Sequence, residues 1–280
     1  MIEPRSRPPG NVQHLQRLVE ELAAQLEQPA LRLRITVANT VVGQMLPPGA
    51  VKGGSAMKLR LGETRTRFTP DLDFARAGTL ERFEEDFGAA LESGWSGFNG
   101  RLVRGKPPKP AGVPDSYVMR PFEVRLTYKG RSWLTVLVEV GHDELGDTDD
   151  PVPVVSSEIV ELFLSLGLER PAPIPVLTAD HQIAQKLHAL SSAGSERAHD
   201  LVDLQLLVAA EAPDLSRVRD TCERLFRSRK AHPWPPEVAV GPTWAGLYAT
   251  AADGIPGVAA DADAAVAWVA HLIGDICAAP

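Results

Sequence analysis

Two aspartates separated by one apolar residue, in Asp71-Leu72-Asp73-Phe74, are the residues of this chain best suited to chemistry. Side chains two apart on an extended strand share a face. Asp71 and Asp73 would therefore bring two carboxylates to one point while Leu72 and Phe74 turn to a core. Paired carboxylates suit a hard divalent cation. Magnesium takes oxygen ligands at ~2.0–2.1 Å and completes its octahedron with water and substrate phosphate oxygens. Upstream, Lys52-Gly53-Gly54-Ser55 reads as a strand end, a tight Gly53-Gly54 turn and the start of a helix from Ser55 to about Leu61. Glycine lets backbone approach a ligand closely, and the N–H groups that open a helix, with the Ser55 hydroxyl, suit a triphosphate. An Asp-x-Asp pair alone is usually only solvated; the buried alternate positions and the nearby glycine turn favour a site.

A third carboxylate is needed if two metals, or a metal and a general base, assist in-line attack on an α-phosphate. Glu139 is the candidate, as the single ionisable residue in the run Leu134 to Val140. That run is apolar on both parities, which predicts a strand in the sheet's interior, where a lone charge is costly without a metal or partner. The competing reading has the strand emerging into solvent ahead of Gly141-His142-Asp143-Glu144.

A second constellation follows: Lys186, then Arg197, Asp200 and Asp203. Spaced by three, the latter would share one face of a helix predicted from Arg197 to Ala210. Lys186 belongs to a preceding helix, Ala179 to Ser192, within reach across Ala193-Gly194-Ser195. Physical reasoning leaves a surface ion-pair cluster, worth ~0–1 kcal/mol, equally open here.

The elements that must position these residues are legible from periodicity. Asn11 caps a helix with Leu15, Leu18, Val19, Leu22 and Leu26 on one stripe, and an apolar segment from Leu31 to Leu46 packs beside it. A strand over 50–52 and another around Asp71 to Ala75 flank the glycine turn. Thr79 caps a helix from Leu80 to about Leu91, and a strand from Gly97 to Val103 leads into a basic, proline-rich loop, Arg101 to Pro114. Phe122 to Tyr128 alternates apolar and polar residues and pairs through Lys129-Gly130 with Ser132 to Val140 as a hairpin. Beyond Ser156 the pattern is helical: 159–166, 179–192, 197–210, 215–229 and 264–276. A mixed α/β half thus precedes a helical half, with the boundary near the prolines of 170–175.

Composition narrows the function. With 280 residues, 44% of them apolar, the chain can bury a sizeable core without staples. Its net charge of −7 excludes a surface wholly given to nucleic acid, so any such contact is local. The basic segment 214–230 is the exception, with Arg217, Arg219, Arg224, Arg227, Arg229 and Lys230 outweighing Asp214, Asp220 and Glu223; a second candidate is the loop with Arg101, Arg104, Lys106 and Lys109. Cys222 and Cys277, without a CxxC pattern, are expected to be buried thiols in a reducing compartment. No run reaches the ~18 apolar residues of a membrane span, and Met1 to Gly10 has no signal-like core, so a cytoplasmic protein is expected.

Four motifs, Lys52-Gly53-Gly54-Ser55, Arg67-Phe68-Thr69-Pro70-Asp71-Leu72-Asp73-Phe74, Gln185-Lys186-Leu187-His188-Ala189 and Asp200-Leu201-Val202-Asp203, together resemble the AbiEii/AbiGii toxin nucleotidyltransferases, a family that includes the MenT toxins. The resemblance implies an α/β (α+β) fold: a polymerase-β-like nucleotidyltransferase domain with a small mixed sheet over 1–170, and a helical domain over 171–280 that completes the active site. It implies that Asp71 and Asp73 bind magnesium, that Ser55, with Lys52 and Gly54, contacts the nucleotide, that Lys186 meets its phosphates and that Asp200 is the acidic residue of the last motif. Arg197 and Asp203 follow as nucleotide-binding residues. His199 stands where the family pattern leads one to expect a permanently charged residue. The expected activity is transfer from a nucleoside triphosphate to RNA, notably the tRNA 3′ end, under control of a cognate antitoxin protein. Transfer to a protein or small-molecule hydroxyl, and a non-catalytic nucleotide-binding module, are the alternatives.

Overall fold

The computed structural model describes residues 4–108 and 118–280; Lys109 to Pro114 of the expected basic loop, and the first three residues, lie outside them. The chain divides into two compact units, Met1–Glu63 with Phe68–Val176, and Thr64–Arg67 with Leu177–Pro280.

In the first unit Asn11 caps α1 (Val12–Gln25) by accepting a hydrogen bond from the His14 N–H at 2.8 Å. The buried stripe of α1 includes Leu15, Leu18, Val19 and Leu22, and α2 (Ala30–Gly43) packs beside it. There follow β1 (Gly49–Lys52), α3 (Gly53–Leu61), β2 (Leu72–Arg76), α4 (Leu80–Ser93), β3 (Phe98–Arg104), β4 (Arg120–Tyr128), β5 (Arg131–His142), β6 (Val152–Val154), α5 (Ser157–Ser165) and β7 (Ile174–Val176). The strands form one seven-stranded mixed sheet in the order β3-β4-β5-β2-β1-β7-β6. β2 runs parallel to β5, and β1 parallel to β7; the other pairs are antiparallel. Under β2 and β4 lies an aromatic cluster: the Phe83 ring is 5.7 Å from Phe74, 5.3 Å from Phe87 and 5.9 Å from Phe122. Such tilted pairs add to the burial energy of the rings and fasten α4 to the sheet.

Three features differ from the sequence expectation. β5 is interior to the sheet but is not covered on both faces: Val136, Val138 and Val140 are buried, whereas Thr135 and Glu139 are exposed and Leu137 is 55% exposed. The two-sided apolar pattern has a local origin. The ladder shifts register between Leu126 and Thr127, pairing them with Leu134 and Ser132, so Trp133 is skipped and turns inward against Phe98. Second, the glycines do not form a turn ahead of a helix; α3 begins at Gly53 itself, behind the N-cap residue Lys52. Third, the prolines of 170–175 do not interrupt the first unit, because β7 carries Pro175 opposite Pro153 of β6 and pairs Val176 with Val51.

The second unit is helical: α6 (Ala179–Leu190), α7 (His199–Glu211), α8 (Leu215–Arg229), α9 (Trp244–Ala252) and α10 (Ala262–Ala278). Helix α8 buries Val218, Cys222, Leu225 and Phe226. Cys277, expected to be buried, is exposed on the last helix; Cys222 is buried. α9 was not apparent in the periodicity, since only Trp244 and Tyr248 of its nine residues are buried. Among the described residues no helix is long and apolar enough to cross a membrane.

Candidate active site

The first cluster is organised by β2. Its register sets Asp73 opposite Lys52 of β1 on one side and opposite Glu139 of β5 on the other. Directly paired residues of neighbouring strands point to the same face, so Lys52, Asp73 and Glu139 form a row across three strands. Leu72 and Phe74 are buried on the other face with Val138 and Val140. Asp71 immediately precedes the strand, and its backbone carbonyl is tied from two helices: Ser55 Oγ donates to it at 2.6 Å and Asn39 Nδ2 at 3.3 Å. A serine hydroxyl has one proton to give. That of Ser55 goes to the Asp71 carbonyl, which ties α3 to the start of β2.

Gly53 is required twice over. Its φ of +62° lies in the left-handed region, and a Cβ there would fall 2.1 Å from Asp73 Oδ2. The missing side chain is the cradle in which the Asp73 carboxylate rests, against the N-terminus of α3, where the helix's partial positive charge favours anions. Gly54 is buried in the same first turn. Lys52 extends toward β5: its Nζ is 3.6 Å from Met119 Sδ and passes 3.1 Å from where a Cβ of Gly141 would be.

Among the described residues no three His, Cys, Asp or Glu side chains converge as a ready-made metal cage. Two carboxylates two residues apart, one held in a glycine cradle, nevertheless match magnesium, which commonly takes one or two protein carboxylates and leaves its other positions to water and phosphate. Glu139 shares the face and the register of Asp73 without closing a three-ligand set.

The second cluster lies in the second unit and is buried. Lys186 Nζ donates to Asp200 Oδ1 at 2.7 Å and to Asp203 Oδ2 at 2.6 Å; the lysine is 5% exposed and both aspartates 0%. Arg67 makes a two-pronged contact with Asp203, Nε to Oδ1 and Nη2 to Oδ2, each 3.1 Å. Arg197 Nε donates to Asp200 Oδ2 at 2.6 Å. Burial works against the Lys186 ammonium, but the two carboxylates outweigh it and raise its pKa above the usual lysine value. Burial likewise opposes ionisation of Asp200 and Asp203, and Lys186 with the arginines overcomes it, holding both below the ordinary aspartate range. His199, 3.9 Å from Asp200, is pushed down to about 4 by burial against that neighbour's pull.

This is not the exposed ion-pair cluster that sequence reasoning left open. Nor do all three expected members share a helix face: α7 starts at His199, and Arg197 reaches Asp200 from the turn before it. Arg67 escaped the sequence reading because its partner is 136 residues away; only its place in the Arg67-to-Phe74 motif could have marked it.

A family model, the nucleotidyl transferase AbiEii toxin of type IV toxin–antitoxin systems, matches residues 44–270. The chain belongs to this family. It is a nucleotidyltransferase toxin by that membership, and the matched span contains both clusters. Among solved structures it is similar to MenT4, a nucleotidyltransferase toxin of Mycobacterium tuberculosis H37Rv, at 15% identity and a TM-score of 0.52, covering 93% of this chain and 98% of that one. JHP933 of Helicobacter pylori matches at 16% identity and a TM-score of 0.41, over 86% and 88% of the two chains. No curated protein sequence matches significantly. The MenT4 match supports the fold of the AbiEii member described here: a mixed sheet with helices and a helical C-terminal half.

Three outcomes are expected. Gly53→Ala should destabilise the protein by about 1–3 kcal/mol from backbone strain alone and dislodge Asp73, lowering nucleotidyl transfer; denaturant unfolding and a transfer assay indistinguishable from the parent's would contradict the cradle. Lys186→Ala should cost about 3–5 kcal/mol, because it strands two buried carboxylates, where an exposed pair would cost under about 1; thermal and chemical unfolding measure the difference.

The third concerns pH. His199 has a folded pKa of about 4 against an ordinary value of 6.5, so the unfolded chain binds more protons between them and stability falls as pH drops through that window. The Asp200 and Asp203 contribution is lost only at lower pH, below the ordinary aspartate value of 3.8. Asp147, pushed up to about 7 by burial, acts in the opposite sense over the same window in both proteins, so the effect of His199 is read by difference: from pH 6.5 toward 4 the parent should lose melting temperature relative to His199→Gln. Parallel melting curves for parent and variant across that window would remove His199 as a contributor.

Proposed function

We propose that the chain transfers a nucleotide from a nucleoside triphosphate to RNA, with the 3′ end of tRNA as acceptor, in a magnesium-dependent reaction that blocks translation. It acts in the cytoplasm, where that acceptor is found, and a cognate antitoxin protein neutralises it. The observation that carries this reading is the row Lys52, Asp73, Glu139 on one sheet face, with Asp73 resting over Gly53 at the start of α3. The row offers carboxylates, a cation and a helix N-terminus together, which is what a metal-bound triphosphate requires.

In this reaction an acceptor 3′-hydroxyl attacks the α-phosphorus. The new oxygen–phosphorus bond forms as the bond to pyrophosphate breaks, and the hydroxyl proton leaves to a base. Bound magnesium would neutralise triphosphate charge and make the hydroxyl easier to deprotonate. Asp71 and Asp73 would hold it, with Glu139 either completing the set or accepting the proton from its exposed position on the same face. Ser55 positions Asp71, and the first turn of α3 at Gly54 engages phosphate with Lys52. Within the second unit, Arg197 is the half-exposed cation offered to phosphate, and Lys186 and Arg67 hold Asp200 and Asp203 in place. Most of the acceleration comes from positioning and charge neutralisation.

Incubation with magnesium, each labelled nucleoside triphosphate in turn, and total tRNA should move label into RNA. Asp71→Ala and Asp73→Asn should abolish that transfer while melting temperature changes little, since both side chains are only partly buried. Full turnover in either variant would reject the metal-site assignment, and label moving into protein instead would redirect the acceptor.

A further inference from the structure

At the C-terminal end of α8 a cleft of about 520 Å³ opens in the second unit, lined by Glu223, Phe226, Arg227, Lys230, His232 and Trp234. We infer that it is a docking site for an unpaired nucleotide of a single-stranded RNA, taking the base against Trp234 and the flanking phosphates on Arg227 and Lys230. The inference rests on RNA being the acceptor.

The cleft is built from aromatic rings in mutual contact. Phe226 lies 5.2 Å from Trp234, 5.1 Å from His232 and 4.8 Å from His188. Ser191 Oγ stands 2.7 Å from His232 Nε2, and Arg229 donates to His188 Nδ1 at 3.2 Å. Phe226 is buried and fixed in the helix, so it braces Trp234, which is half-buried and lines the cleft. An aromatic ring in the lining of a cleft, braced by a second ring, is what base stacking uses. The volume lies within the ~300–1,000 Å³ range of ligand sites.

Charge decides the class of ligand. The last turn of a helix presents carbonyl oxygens, a negative end that repels phosphate. Here Arg227 and Lys230 are exposed beside it, with Arg224 one turn back, and Glu223 is the sole acid of the lining. In a chain at −7 this segment is +3, so the cationic surface is local and adjoins aromatic rings. An acidic peptide would use the cations and leave Trp234 idle; a single-stranded nucleic acid uses both. Duplex RNA, whose bases are already stacked, could not insert one.

The test measures binding of a fluorescein-labelled single-stranded oligoribonucleotide to the full chain. Trp234→Ala should weaken it about tenfold or more, and Trp234→Phe should restore most of the loss. Arg227→Gln with Lys230→Gln, both at exposed positions, should weaken binding and lower the salt slope by about 1.4, at ~0.7 per phosphate contact. Equal affinity of the parent, Trp234→Ala and the double variant overturns the inference, as does displacement of the strand by poly-glutamate as readily as by unlabelled RNA. If the parent labels no RNA yet its strand binding depends on Trp234, the proposed reaction fails and the cleft stands. Labelling of RNA with no dependence of affinity on these residues has the opposite meaning.

Discussion

Burial of Leu72 and Phe74 is the constraint from which the first unit's site follows. Both are inside the core, and each is worth about 1.5–3 kcal/mol in apolar surface removed from water. A slip of one residue in the β2 register would expose both and drive Asp71 and Asp73 inward. That double cost fixes the acids on the open face. Because β2 sits between β1 and β5, the same register selects their neighbours: Lys52 from one side and Glu139 from the other. Packing energy on one face of the sheet therefore determines the chemistry available on the other.

The seam between β1, α3 and β2 turns that placement into a defined geometry. Three contacts act on a stretch of a few residues: Ser55 and Asn39 hold the Asp71 carbonyl, and Gly53 admits the Asp73 carboxylate where any side chain would collide with it. The direct conversion of β1 into α3 leaves no loop to move between Lys52 and Gly54. Such stiffness fixes where the Asp73 carboxylate stands relative to the first turn of α3.

Much of this was legible because it is local. The Asp-x-Asp alternation, the Asn11 cap and the amphipathic stripe of α8 are short-range patterns, and each maps onto the structure where spacing placed it, whereas the glycines expected as a turn open α3 instead. What escaped was non-local or irregular. The inward turn of Trp133 comes from a bulge set by the partner strand, so β5 alone reads as buried on both faces. β6 and β7 each have a central proline, which in sequence argues against a strand, yet β6 is an edge strand, where proline is tolerated, and β7 pairs with β1 only at Val176, beyond its proline. The pairing of Arg67 with Asp203 is invisible to any periodicity, and the burial of Lys186 depends on how α6 and α7 pack. Spacing suggested that these charges were neighbours; it could not tell a solvated cluster from one sealed in the core.

That difference matters to the charge each cluster can offer. On the open face of β2 the row holds two carboxylates, Asp73 and Glu139, and one cation, Lys52, so its formal charge is negative. In the second unit Arg67, Lys186 and Arg197 face Asp200 and Asp203, and His199, with its pKa of about 4, is neutral near pH 7. One positive charge is therefore left over, and the member at half exposure is Arg197. A permanently charged side chain in place of His199 would add to that surplus at the cost of burying a further charge. With histidine the cluster keeps one cation turned outward and avoids that desolvation penalty.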